Sequence, residues 1–126
     1  MESKKVKEML ETIEAIIQVK VDPSNPEEII GHLNEVCAIQ SNASYCQAEA
    51  ERLLSQRMME LVEKVEYRSM TATDKKFLFT GKCRDLTFLV TYSERLSRNL
   101  SHKIDGLRSM LSFLKAEMDR SAYQTH

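Results

Sequence analysis

The sequence predicts an all-α protein, a helical bundle of three shorter helices and one very long C-terminal helix with coiled-coil-like packing. Three observations predict it. Both prolines stand at positions 23 and 26, so the strongest helix breaker is absent from residue 27 onward. Apolar residues recur at three- and four-residue steps along most of the chain. β-Branched runs are scarce, and methionine is frequent at seven residues. With 126 residues, 42% apolar and 29% charged, positions 1–126 read as a single globular helical domain.

The first helix is expected over about 3–20. Val6, Met9, Leu10, Ile13, Ile16 and Ile17 share one face, while Lys4, Lys5, Lys7, Glu8, Glu11 and Glu14 fill the other. The run Val21-Asp22-Pro23-Ser24-Asn25-Pro26 ends it. Asn25 suits an N-cap, Pro26 the first helical position, and Glu28 stands three beyond the cap. A second helix follows over about 26–39, with Ile29, Ile30, Leu33, Val36 and Cys37 inward. His32 lies at its polar edge, where contact with solvent is expected. Gln40-Ser41-Asn42-Ala43-Ser44 reads as a short polar turn in which Ser41 or Asn42 caps the next helix.

That third helix is expected over about 43–67. Its inner stripe is Ala43, Cys46, Ala50, Leu53, Leu54, Met58, Leu61 and Val65, and its small early residues let a neighbour approach closely. A second break falls at Ser69-Met70-Thr71-Ala72-Thr73-Asp74, where Thr71 and Asp74 resemble a capping box. The final helix is expected over about 74–120, on the order of 70 Å long, with Gly81 able to split off its first turn. Alternating four- and three-residue steps from Phe79 land on Cys83, Leu86, Val90, Ser93, Ser97, Leu100, Ile104, Leu107, Leu111, Leu114 and Met118. Ten of these twelve positions are apolar, which makes a coiled-coil-like seam. Leu89, Leu96 and Met110 form a second apolar line at seven-residue spacing. Two lines imply partners on two sides, so a homo-oligomer built around this helix is expected.

The net charge of −1 conceals an asymmetry. Residues 1–70 hold eight Lys/Arg against thirteen Asp/Glu, and residues 75–108 hold eight against three. Either an acidic hairpin packs beside a basic helix, or the basic segment receives an anionic ligand. The three cysteines show neither C-x-x-C nor metal-ligand spacing. Their odd number and the absence of a leader-like apolar start lead to an expected cytoplasmic location. No stretch approaches the roughly 20 apolar residues that cross a bilayer.

No catalytic signature is present: no H-E-x-x-H, no Gly-rich phosphate loop, no G-x-S-x-G. Carboxylate pairs such as Glu49–Glu51 and Glu60–Glu63 are ordinary on an exposed helix face. The chain is therefore expected to be no enzyme and to need no cofactor or metal. The stretch from Arg84 to Arg108 has more to offer. Arg84, Arg95, Arg98 and His102 are interleaved with Tyr92 and with hydroxyl and amide side chains. Arg95, Arg98 and His102 share a face at steps of three and four, and Tyr92, three residues before Arg95, is expected on that same face. Forked guanidinium donors suit phosphate and a ring suits stacking, so these five residues are the candidate ligand-binding set. Ser93 and Ser97 break the seam at this point, as the polar lining of a pocket between protomers would. A pI near 6.3 and the lack of a helix-turn-helix or zinc pattern weigh against duplex binding, while a repeated basic groove would still hold single strands.

Two stretches carry a resemblance. One runs Asn25-Pro-Glu-Glu-Ile-Ile-Gly-His-Leu-Asn-Glu through Ala43 to Ala48-Glu-Ala-Glu. The other runs Ser93-Glu-Arg-Leu-Ser-Arg-Asn-Leu-Ser-His-Lys, then Asp105-Gly-Leu-Arg-Ser-Met-Leu-Ser-Phe-Leu-Lys-Ala-Glu-Met. In pattern and phrase they resemble small all-helical accessory proteins of bacteriophages and prophages. Some of those are oligomeric binders that sequester nucleotide signals of host immunity. The resemblance implies an anti-defence protein in the cytoplasm of a bacterial host cell, a homo-oligomer that binds a nucleotide or another small anion. Two alternatives stand beside it: a protein-interaction module docking a host or phage protein through the long helix, and a single-stranded nucleic-acid accessory protein.

Overall fold

The computed structural model describes residues 2–64 and 68–124. The inward position expected of Val65 and the helix end expected at Tyr67 lie outside the described residues. Among those described there is no strand, and five helices follow one another: α1 (Ser3–Ile17), α2 (Pro26–Ala38), α3 (Gln40–Glu63), α4 (Ala72–Lys82) and α5 (Arg84–Gln124). The protein is all-α, and its last helix, at 41 residues, is about 60 Å long.

The prolines act where expected. Pro26 opens α2, and the Asn25 side chain accepts the Glu28 N–H at 3.2 Å. Glu28 reaches back to the Asp22 N–H at 3.3 Å. Asp22 in turn accepts the Ser24 N–H at 3.0 Å and the Ser24 hydroxyl at 2.7 Å, and these bonds hold its carboxyl below the usual range. α1 stops at Ile17, three residues short of the expected end. Beyond its end, the Val19 carbonyl accepts the Lys103 ammonium of α5 at 3.0 Å.

Two expected boundaries are corrected. The polar turn at Gln40–Ser44 does not form, and α2 and α3 are separated by Ile39 alone. The Ile39 backbone stays close to helical, at φ −87° and ψ −2°, so the Ala43 N–H bonds to its carbonyl at 3.0 Å. Neither Ser41 nor Asn42 caps α3. Both are exposed, so the polar run marks the solvent side of a first turn. The helix expected over 74–120 is likewise two helices, and they break at Cys83 instead of Gly81. Thr71 accepts the Asp74 N–H at 3.2 Å and starts α4 two residues early. Cys83 is buried with Leu61 in a small core shared with Leu54, Met70, Leu78 and Phe79.

The main core is organised around α5. Leu89, Leu96, Leu100, Ile104 and Leu107 are buried against Val6, Leu10 and Ile13 of α1, Ile29 and Val36 of α2, and Ala43, Cys46 and Ala50 of α3. Each of the first three helices packs chiefly on α5, and α1 also meets α3. The second apolar line is thus covered within the chain, since Leu89 and Leu96 are as buried as Leu100 and Ile104. Over this length two apolar lines require no second copy. Past Leu107 the seam rises out of the bundle: Leu111 and Leu114 are half-buried, and Met118 is 67% exposed.

Leu100→Ala should therefore cost about 2–5 kcal/mol in urea unfolding, and Met118→Ala no more than about 0.5 kcal/mol. Gly106 lies within α5, and a Cβ there would meet no atom within 4 Å. Gly106→Ala should raise stability by about 1 kcal/mol. A loss of stability instead would mean that the outer face of α5 is already packed.

Candidate functional site

Arg84 and Arg95 are eleven residues apart on α5, close to three full turns, so they point the same way. Arg98 and His102 join them, and all four are exposed on the side away from the buried stripe. Among the described residues none of the four has an ion pair or a side-chain hydrogen bond.

Tyr92 does not stand with them. A three-residue step turns the helix by about 300°, and the missing 60° carries Tyr92 toward α1. Its ring is half-buried and its hydroxyl donates to the Glu14 carboxylate. Burial, then that bond and the charges of Glu14 and Glu11, raise the phenol well above its ordinary pKa. Tyr92 is a strut between α1 and α5. Its ring meets that of the exposed Phe88, with centroids 5.8 Å apart and planes tilted by 39°.

Ser93 and Ser97 have a packing role here. Ser93 is fully buried and donates to the Val90 carbonyl at 2.7 Å. Ser97 donates to the Gln47 side-chain oxygen of α3 at 3.4 Å. With Ala43, Cys46 and Ala50 on α3, these small residues let the two helices lie close.

His32 is also corrected. Far from being solvated, it is 5% exposed, and neither ring nitrogen has a hydrogen-bond partner. It stands three residues after Ile29 and four before Val36, so the buried stripe of α2 runs through it. Burial lowers its pKa, the Lys103 charge lowers it further, and Glu35 opposes both.

The concave surface lies away from the expected set. One hollow of about 490 Å³ has Lys4, Lys7, Lys82 and Asp85 around Leu86 and Phe88. A second, of about 410 Å³, lies between α3 and α4, with Leu54, Met58 and Phe79 as its apolar lining and Lys75 and Lys76 beside them. An adjoining hollow of about 510 Å³ runs along α4 past Thr73 and Phe77, sharing Ala72, Lys76 and Thr80 with the second. Phe77 is 76% exposed, and Met58, Met59 and Val62 expose further apolar surface on α3. One signal for this surface was present in the sequence. Phe77-Leu78-Phe79 are consecutive, and one helix face cannot bury all three.

Among the described residues no group of His, Cys, Asp and Glu is placed to hold a metal. Cys46 and Cys83 are buried and Cys37 is half-buried, all three as free thiols. Burial and the nearby Glu49 raise the Cys46 thiol, which disfavours the nucleophilic thiolate. No described helix is long and apolar enough to cross a membrane. The chain matches no protein-family model, no curated protein and no solved structure.

The buried imidazole has a measurable consequence. Its folded-state pKa lies below the unfolded value, so below about pH 6.5 the unfolded chain takes up a proton that the folded one refuses. Stability should fall as pH drops from about 7.5 to 5.5. His32→Leu should make the melting temperature less dependent on pH over that interval. An unchanged pH slope in this variant would contradict the assignment.

Proposed function

We propose that this chain is a non-enzymatic protein-interaction module that docks a partner protein on the apolar surface shared by α3 and α4. The observation that carries this reading is a pair of adjoining hollows lined by the apolar Leu54, Met58, Phe77 and Phe79, of which Met58 and Phe77 are exposed. Single exposed apolar residues are normal on any protein; a contiguous group around a concavity marks an interaction site. The reading departs from docking through the long helix, because the inner face of α5 is occupied by α1, α2 and α3.

A second reading, capture of a nucleotide or similar anion, is favoured by the row of Arg84, Arg95, Arg98 and His102, unpaired among the described residues. Tyr92 has no part in it, being engaged with Glu14. Mono-, di- and cyclic nucleotides at millimolar concentration should raise the melting temperature if that reading is right, and Arg98→Ala should abolish the shift.

For the first reading, the immobilised protein should retain a defined partner from the cells that make it, identified by mass spectrometry. Phe77→Glu should lose that partner by at least about tenfold while its circular dichroism stays unchanged. Equal retention by both proteins would sink the interaction reading at this surface. Light scattering on the free protein should separate a foreign partner from a second copy of the chain.

A further inference from the structure

We propose that the cleft between α3 and α4 receives an amphipathic helix of the partner, one that carries carboxylates beside its apolar stripe. The inference rests on the interaction reading above and names the class of ligand.

The lining is apolar at Leu54, Met58 and Phe79, and it continues along α4 to the exposed Phe77. Leu54 and Met58 are one helical turn apart on α3, and Val62 continues the line by another turn. α4 has eleven residues and so measures about 16 Å, room for roughly three turns of a guest helix laid alongside. Apolar anchors on such a guest at i, i+3 or i+4, and i+7 would meet this row turn by turn. Met58 is unbranched and adaptable, suited to a surface that must remodel around its ligand.

Charge selects the guest. Lys75 and Lys76 both line the cleft, and neither has an ion-pair partner among the described residues. Between Ala72 and Arg84 the chain carries Lys75, Lys76, Lys82 and Arg84 against Asp74 alone. Ammonium groups at the rim of an apolar cleft favour carboxylates next to the guest's apolar stripe and repel a basic helix. The wall formed by α4 can adjust, because α4 buries none of its residues fully and its chief packing partner is α5.

The test uses the full chain and fluorescein-labelled helical peptides about three turns long, with leucines at the anchor spacing and either glutamates or lysines beside them. Anisotropy should show the glutamate peptides binding at least about tenfold more tightly than the lysine peptides, with affinity falling as salt rises. Lys75→Glu combined with Lys76→Glu, two surface changes, should reverse that preference, and Met58→Glu should weaken both peptide classes. Equal affinity for the two classes, no binding by either, or no response to the lysine reversal would overturn the inference. Stronger binding to phosphatidylserine vesicles than to any peptide would overturn it in favour of a membrane surface. A concentration-dependent mass that the lysine reversal abolishes would overturn it in favour of a second copy. If a cellular partner is lost on Phe77→Glu while the peptides fail, the interaction module stands and only the acidic helix falls.

Discussion

Five side chains on one face of α5, Leu89, Leu96, Leu100, Ile104 and Leu107, are withdrawn from water by three separate helices at once. Each contributes on the order of 1.5–3 kcal/mol by burial, as an upper figure. The other helices meet mainly through this shared face, so α5 serves as the common wall of the domain. The remaining packing follows from that arrangement. Small residues on α3 and the buried Ser93 allow one partner to lie close; Tyr92 reaches Glu14 to hold the second. Lys103 clasps the carbonyl of Val19 where the chain leaves α1, and His32 is enclosed where α2 lies down on the same wall.

This division leaves two kinds of surface. The outward side of α5 has no packing duty and carries exposed cations at Arg84, Arg95, Arg98 and His102. The end of α3 and all of α4 lie beside the small core of Leu61 and Cys83, where fewer apolar groups are fully covered. Hydrophobic surface is left over there, in two adjoining hollows with lysines in their lining. Among the described residues the ion pairs Glu49–Arg52 and Glu60–Arg57 both lie within α3 and do not join the acidic N-terminal half to the basic later segment.

The fold class was legible because helical periodicity and the positions of two prolines are local signals. Asn25 and Thr71 were readable as caps for the same reason. What escaped was decided by tertiary contact. A polar run such as Gln40–Ser44 reads as a turn until the exposed side of a first helical turn accounts for it. The break falls at Cys83, a residue buried in a small core, and no local propensity encodes it. His32 looked solvent-facing by residue type, although its spacing from Ile29 and Val36 already placed it on the inner stripe. In the candidate site, the shared side of Arg84, Arg95, Arg98 and His102 was readable, whereas the direction of Tyr92 was misjudged by a fraction of a turn. Clefts formed by two helices were beyond reach, since they depend on how α3 and α4 lie together.

The order of the helices along the chain bears on synthesis as well as on stability. α5 leaves the ribosome after α1, α2 and α3, yet it is the surface on which all three bury their apolar faces. At about 5–20 residues per second, its 41 residues take on the order of two to eight seconds to appear. Through that interval Val6, Leu10, Ile29 and Val36 lack their final cover, and the nascent chain is open to chaperones and to its neighbours on the same message. The molecule closes only when its last helix arrives.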